Sequence, residues 1–126
     1  MPTEIVVIVD DNLVLNGFLN DSSTGQALAA ALPLEGAAHR WGDEIYFHVP
    51  QVVADLDDTA RAVVEVGDLG YWPVGRAFCI FFGLTPASIP GEIRPASPVN
   101  WVGRLNDDPC CLTLVADGTP MRVEKK

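Results

Sequence analysis

Apolar and polar residues alternate along much of this sequence in short runs, the pattern that half-buried β-strands produce. Residues 5–9 are mostly β-branched and end at the turn-forming triplet Asp10-Asp11-Asn12. Beyond the triplet, residues 13–19 alternate again, with leucine at most of the odd positions. The spacing predicts an opening β-hairpin over residues 5–19.

One helix is predicted between this hairpin and Pro33. Asp21 or Ser22 can cap its start, because a short polar side chain accepts hydrogen bonds from the free amides of the first turn. Residues 26–32 are rich in alanine and leucine, which have high helix propensity. We therefore expect a helix over residues 24–31 that Pro33 ends.

The middle of the chain predicts further strands. Residues 36–49 alternate around Gly42-Asp43, which indicates a second hairpin with its turn at that pair. Residues 51–58 are acidic and irregular and predict a loop or a short helical turn, whereas residues 62–66 predict a strand. The apolar run over residues 76–82 is the strongest strand signal in the chain.

Residues 67–75 combine three glycines with two large aromatic residues and Pro73. The glycines indicate positive φ angles or close approach of the backbone. Pro73 argues against a central strand, because proline cannot donate to a sheet ladder. The segment is interpreted as a rigid turn that carries Tyr71 and Trp72, either at the rim of a binding site or merely to close one end of the barrel.

The last third of the chain begins with a long loop. Residues 83–97 contain three prolines and two glycines, too many for a regular element, and long loops in compact domains are often functional. Residues 99–105 predict a strand, residues 110–115 a short strand or a helical turn, and residues 121–124 a final strand.

Many short strands with one convincing helix predict a largely antiparallel sheet that closes on itself, because closure removes exposed edges. A length of 126 residues suits one domain over residues 1–126. We therefore expect a mainly β protein, a closed antiparallel barrel with one or two short helices.

Three motifs carry a resemblance to a known family: Trp-Gly-Asp-Glu-Ile-Tyr-Phe at residues 41–47, the glycine-rich residues 67–75, and the segment 95–105. Together they resemble the small prokaryotic proteins with a cyclophilin-like β-barrel fold. The resemblance is strongest over residues 34–105 and implies the same barrel. The members of that family share no agreed reaction, so the resemblance implies a fold and names no activity.

True cyclophilins are prolyl isomerases, which hold a substrate proline in a hydrophobic pocket and polarise its amide with an arginine. This chain lacks the Phe-His-Arg-x-Ile-Pro and Gln-Gly-Gly-Asp segments that carry that activity. Arg104, Arg94 or Arg40 could stand in for the missing arginine, but no motif assigns that role to any of them. A fold does not carry its function with it, so isomerase activity stays an alternative.

Charge and apolar run length exclude several partners. Seventeen acidic and eight basic residues give a net charge of -9, which repels a phosphate backbone, so nucleic acid is not expected as a partner. No apolar run approaches the ~20 residues that span a bilayer, and no signal peptide is visible. The three cysteines, Cys79, Cys110 and Cys111, suit a reducing compartment. The sequence predicts a cytoplasmic protein with no membrane partner.

No metal or cofactor is predicted. His39 and His48 can approach each other across a hairpin, but they lack a companion ligand at metal-binding spacing. The acidic turns at residues 55–58 and 107–108 lack the glycine and the bidentate glutamate of a calcium loop.

The candidate ligand-binding residues are large amphipathic rings beside a few polar groups, the combination that a pocket requires. Each ring taken singly is more typical of the filling of a barrel core. Glu44 and Arg104 lie among apolar neighbours, where a charge is costly unless paired, and a structural ion pair between them is the favoured interpretation. The set is Trp41, Glu44, Tyr46, Tyr71, Trp72, Phe81, Asn100 and Arg104.

These observations predict a protein that binds a small metabolite or an extended peptide in an aromatic-lined pocket at a barrel mouth. The alternative is an enzyme, either a divergent prolyl isomerase or a different chemistry that uses Glu44 with Arg104. A third hypothesis is a structural subunit, favoured if Trp72 and Trp101 form one exposed apolar patch, with a homodimer as the simplest assembly. The sequence leaves open whether the loop 83–97 covers a site.

Overall fold

One antiparallel sheet of ten strands, joined by one α-helix and one 3-10 helix, forms the chain over residues 2–126, which the computed structural model describes. The helices are α1 (Ser23–Ala31) and the 3-10 helix Pro109–Leu114. The strands are β1 (Thr3–Val9), β2 (Leu13–Leu19), β3 (Leu34–Ala37), β4 (His39–Arg40), β5 (Glu44–His48), β6 (Ala60–Arg61), β7 (Asp68–Trp72), β8 (Ala77–Phe81), β9 (Val99–Leu105) and β10 (Pro120–Lys125).

The sheet curls until its two ends nearly meet. Its strand order is β3-β10-β1-β2-β9-β7-β8-β5-β4, with β6 added beside β9. The terminal strands β3 and β4 are consecutive in the chain and are separated only by Ala38, whose amide donates to the Thr119 carbonyl at 2.8 Å. Two strands that follow each other in the chain thus form opposite ends of the sheet. This arrangement confirms the prediction of a mainly β, nearly closed antiparallel barrel.

Several local predictions are confirmed in detail. Asp10 and Asp11 adopt φ angles of 55° and 56°, the left-handed values that a tight hairpin turn between β1 and β2 requires. The Ser22 hydroxyl caps α1 by accepting from the Gly25 amide at 3.0 Å. Over residues 2–126, neither helix has the length and apolar character needed to cross a membrane.

The interpretation of residues 67–75 as a turn is wrong, because Asp68–Trp72 form β7 in the middle of the sheet between β8 and β9. Pro73 does not interrupt the ladder, since it follows the last strand residue and begins the turn into β8. Gly67 precedes the strand with a φ angle of 91°, which a residue with a side chain rarely adopts.

The strand predicted over residues 62–66 is also wrong, because the strand there is β6 at Ala60–Arg61. β6 runs antiparallel to β9 with Arg61 opposite Val99, so continuing the ladder would place Pro98 in the next pair. Proline has no amide proton to donate, and pairing therefore stops. Within residues 62–66, Val64 forms an isolated bridge to Ile93.

Two apolar clusters lie on opposite sides of the sheet. The main core inside the barrel includes Ile45, Phe47, Leu69, Tyr71 and Phe78. A second cluster lies on the other side of β5, β7 and β8, which we call the outer face. It consists of Val64, Ala77, Cys79, Phe81 and Val99, against which Tyr46, Trp72 and Ile93 pack.

Candidate functional site

A cavity of about 150 Å³ lies on the outer face, beside the loop 83–97. The sequence predicts a pocket at a barrel mouth, whereas this cavity opens on the side wall of the barrel. Three aromatic side chains and one carboxyl group form most of its wall. The lining residues are Trp41, Glu44, Tyr46, Trp72 and Ala96.

The alternation of β5 places two of these side chains in the cavity. Successive residues of a strand point to opposite faces, so Glu44 and Tyr46 share the outer face while Ile45 and Phe47 enter the main core. In the ladder with β8, Tyr46 lies opposite Cys79. The cavity therefore has the second apolar cluster beneath it.

Trp41 is held by the turn between β4 and β5. Its amide donates to the Glu44 carbonyl at 3.0 Å, and the Glu44 amide returns a bond of 3.3 Å to the Trp41 carbonyl. Gly42, inside the turn, has a φ angle of 61°. This closed turn brings the indole of Trp41 to the same cavity as the carboxyl of Glu44.

Trp72 forms the wall on the β7 side. A side chain at Gly75 would place its Cβ 2.6 Å from the Trp72 ring, so the glycine permits the indole to lie against the hairpin turn. The indole Nε1 donates a 2.6 Å hydrogen bond to the Ser97 hydroxyl. The ring lies 6.1 Å from that of Tyr46 at an interplanar angle of 69°.

The loop 83–97 is anchored where it reaches the cavity. The Val64 amide donates to the Ile93 carbonyl at 2.9 Å, and Ile93 packs on the second cluster. Inside the loop, the Ser88 hydroxyl accepts from the amides of Thr85 and Arg94 at 2.9 and 3.0 Å. The loop thus covers part of the outer face, and Ala96 contributes to the cavity wall.

Glu44 is the one ionisable carboxyl group in this wall, and it is only 5% exposed. Within residues 2–126 it forms no ion pair. Burial raises the pKa of Glu44 to about 7, and a hydrogen bond from the Cys79 thiol opposes part of that shift. Burial and the charge of Glu44 raise the pKa of Cys79 well above its ordinary value. The cavity therefore holds a carboxyl group that can change charge near neutral pH.

A row of rings continues from the cavity along β4 and β5. His39 stacks on Tyr46 with ring centroids 5.1 Å apart, and His48 lies 5.4 Å from His39. The Nδ1 of His48 is 2.8 Å from the Gly75 carbonyl oxygen, so this nitrogen carries the proton and donates. Among residues 2–126, no three His, Cys, Asp or Glu side chains are placed to hold a metal ion.

Four of the eight candidate residues, Trp41, Glu44, Tyr46 and Trp72, meet in the cavity, and Phe81 belongs to the cluster beneath it. The other three lie elsewhere. Tyr71 points into the main core, where its hydroxyl donates to the Val52 carbonyl at 2.7 Å. Asn100 is fully buried and ties α1 to the loop before β6, donating to the Thr24 hydroxyl and the Asp55 carbonyl at 3.0 Å each.

Arg104 does not pair with Glu44, and the ion pair favoured from the sequence is wrong. Its guanidinium binds Asp68, donating from Nε at 3.1 Å and from Nη2 at 2.8 Å, and it also contacts Glu65 at 2.8 Å. Asp68 is fully buried and also accepts from the Trp101 indole at 3.1 Å. Asp68 and Trp72 lie four residues apart on β7, about 13 Å along the strand, so this network is separate from the cavity.

Comparison with known proteins now identifies the family. The family described as Cyclophilin-like matches residues 3–124. The chain belongs to the cyclophilin-like family. It is also similar to the solution structure of the hypothetical protein AF2241 from Archaeoglobus fulgidus, with 39% identity and a TM-score of 0.81. That likeness covers 99% of this chain and 95% of the archaeal one. No curated protein matches the chain.

This family membership confirms the resemblance predicted from the three sequence motifs. It does not indicate which reaction, if any, the protein catalyses. Two features of this cyclophilin-like chain escaped sequence reasoning. The first is the burial of Asp68, which lies in a segment that the sequence indicated to be a turn. An acidic residue in such a segment is expected to be exposed, so the sequence gives no sign that Asp68 is buried. Cys79 and Ala96 are ordinary residues in sequence, and only the pairing of β5 with β8 and the course of the loop bring them to Glu44.

Proposed function

We propose that this cyclophilin-like protein binds a small molecule in the cavity on the outer face. The observation that carries the proposal is Glu44, a buried carboxyl group that lines the cavity among aromatic rings and has no ion-pair partner among residues 2–126. A buried polar group costs stability unless a partner satisfies it. Retaining such a group in a cavity wall supports a role in contacting a ligand.

The size of the cavity favours a small ligand group over an extended peptide. At about 150 Å³ it is similar to engineered cavities that hold one benzene molecule, and it is smaller than the usual drug-sized pocket. A peptide bound in extended form commonly adds to an exposed sheet edge. Here the end strands β3 and β4 follow each other in the chain and nearly close the barrel.

A second candidate function is acid–base chemistry on the bound molecule. A group whose pKa lies near the working pH can both give and take a proton, and burial raises the pKa of Glu44 to about 7. Prolyl isomerisation through Arg104 has less support, because Asp68 and Glu65 already bind that guanidinium.

The contacts of the tryptophans favour binding over the structural-subunit hypothesis. Trp72 and Trp101 are both half-buried, and each indole N–H is bonded within the chain, to Ser97 and Asp68. The guanidinium of Arg61 covers the Trp101 ring at 4.4 Å. The two rings therefore do not present one open apolar patch.

A thermal-shift screen against a metabolite panel tests the proposal, with a variant that fills the cavity. Ala96 is exposed and lines the cavity, so Ala96→Phe should block the site without disturbing the core. Ala87→Phe, at an exposed alanine of the same loop, is the matched control. A ligand at a hundred times its Kd contributes about 2.7 kcal/mol, which raises Tm by several degrees.

We expect at least one compound to raise the Tm of the wild type and of Ala87→Phe but not of Ala96→Phe. If every stabilising compound acts equally on all three proteins, the cavity is not the site and the proposal fails. For any compound that binds, product analysis separates the two functions. Turnover that Glu44→Gln abolishes while binding persists would establish the acid–base role.

A further inference from the structure

Resting on the proposed function, we propose that the cavity selects a small organic cation, a methylated ammonium group, with Glu44 as its counter-charge. Trp41, Tyr46 and Trp72 supply the aromatic walls. Neither the family nor the similar archaeal structure assigns such a ligand.

The aromatic walls of the cavity suit a cationic ligand. The π-face of an aromatic ring carries partial negative charge and attracts a cation, and tryptophan does so most strongly. Two of the three rings in this wall are tryptophans. The rings of Tyr46 and Trp72 lie 6.1 Å apart at an angle of 69°, so they form two sides of a corner rather than a closed stack. A corner of this kind leaves space for a compact group.

The charge of the cavity wall also favours a cation. Glu44 is the one carboxyl group that lines the cavity, and no cation of residues 2–126 neutralises it. The arginines of the neighbouring strands are engaged elsewhere. Arg40 donates to the Gly42 and Val115 carbonyls, and Arg104 binds Asp68. A cationic ligand would complete an ion pair that the chain itself leaves open.

The shortage of hydrogen-bond acceptors favours methylation of the ammonium group. A primary ammonium carries three N–H donors, each of which needs an acceptor once water is removed. The side chains of the wall offer the Glu44 carboxylate and the Tyr46 hydroxyl, and the indoles and Ala96 offer none. A quaternary ammonium has no N–H donors, so the same wall satisfies it by charge and ring contact alone.

The protonation of Glu44 makes binding depend on pH. Two titratable residues lie beside it: Cys79 of β8, whose thiol hydrogen-bonds to it, and Tyr46 of its own strand, which lines the same cavity and on which His39 stacks. β7 and the loop line the cavity with the indole of Trp72 and with Ala96. A carboxyl group whose pKa is near 7 is largely protonated below that pH and must release its proton to pair with a cation. Affinity for a cation should therefore fall about tenfold per pH unit below neutrality.

Two probes of the same shape test the proposal. Choline carries a quaternary ammonium group, and 3,3-dimethylbutan-1-ol replaces its nitrogen with carbon and is neutral. Each probe is titrated at a series of pH values from about pH 5 to about pH 8.5. Tryptophan fluorescence, to which Trp41 and Trp72 in the cavity wall contribute, reports both affinities. We expect choline to bind at least about tenfold more tightly than the neutral alcohol at the alkaline end, and ethanolamine to bind more weakly than choline.

Glu44→Gln should reduce the preference for choline over the alcohol to the part that the aromatic rings supply, and it should remove the pH dependence. Equal binding of choline and the alcohol by the wild type would overturn the inference, as would choline affinity that does not change with pH. The pH series needs no variant, so the test holds even if Glu44→Gln folds poorly. If choline fails to bind while other compounds act in an Ala96→Phe-sensitive way, the cation inference is wrong and the small-molecule proposal stands.

Discussion

The indole Nε1 of Trp72 donates a 2.6 Å hydrogen bond to the hydroxyl of Ser97, and this bond joins the end of β7 to the end of the loop 83–97. Trp72 lines the cavity, and Ala96 beside Ser97 lines it from the loop. The contact therefore fixes the positions of two walls of the cavity relative to each other. It also shows how a central strand and a proline-rich loop build one surface.

Ser97→Ala should loosen the loop over the cavity. The lost bond is worth about 1 kcal/mol, and amide hydrogen exchange over residues 84–97 should accelerate accordingly. A double-mutant cycle with Trp72→Phe supplies the control. Once the indole N–H is absent, Ser97→Ala should have no further effect, and a full additive effect would show that the bond is not what holds the loop.

Glu44→Gln should change how stability depends on pH. Because the pKa of Glu44 is raised to about 7 when folded, the native state binds more protons than the unfolded state between about pH 4.5 and pH 7. Stability of the wild type therefore falls as pH rises through that window, by on the order of 3 kcal/mol from this group. This loss of stability is absent below the window and complete above it.

Urea unfolding of the ligand-free protein at about pH 5 and about pH 8 measures this effect. Glu44→Gln cannot ionise and should lack that loss of stability at the higher pH. Glu4→Gln, at an exposed carboxyl group on β1, should retain the wild-type profile. Identical profiles for Glu44→Gln and the wild type would contradict the buried, proton-binding state of Glu44.

Asp68→Asn should destabilise the protein strongly although Asp68 is remote from the cavity. The substitution removes a fully buried charge that accepts bonds from Arg104 and from the Trp101 indole. Without its charge this acceptor binds the arginine and the indole more weakly, at a cost of about 2 kcal/mol, which chemical denaturation would detect. Glu65→Gln removes the exposed partner of the same arginine and should cost less than about 1 kcal/mol. Equal effects would show that burial does not set the strength of the network.

Tyr71→Phe should lower stability without affecting ligand binding. Its hydroxyl bonds to the Val52 carbonyl at 2.7 Å inside the core, so the loss should be about 1 kcal/mol. Tyr46→Phe is the opposite case, because Tyr46 lines the cavity and its ring is half-buried. We expect a stability change below about 0.5 kcal/mol and an altered ligand response. A ligand response lost in Tyr71→Phe alone would move the site to the barrel interior.

Local chemistry made part of the fold predictable. The triplet Asp10-Asp11-Asn12, the Ser22 cap and the Gly42-Asp43 turn each act within a few residues, so the sequence shows them directly. The predictions failed at residues 62–66 and 67–75, where pairing with strands that are distant in sequence determines which residues form a strand. Pro98 ends the β6–β9 ladder, and the positions of β8 and β9 make residues 68–72 a central strand despite Pro73.

By itself, the sequence determined the mainly antiparallel barrel, its family and the residue types of the candidate site. It brought Trp41, Glu44 and Tyr46 together because all three lie on one hairpin. Only the tertiary structure separated Tyr71, Asn100 and Arg104 from them. The reason is that strand register, set across the whole sheet, chooses the face on which Tyr71 and Asn100 lie, and a shift of one residue reverses that face. Register also places Arg104 opposite Asp68, at the other end of β7 from Trp72.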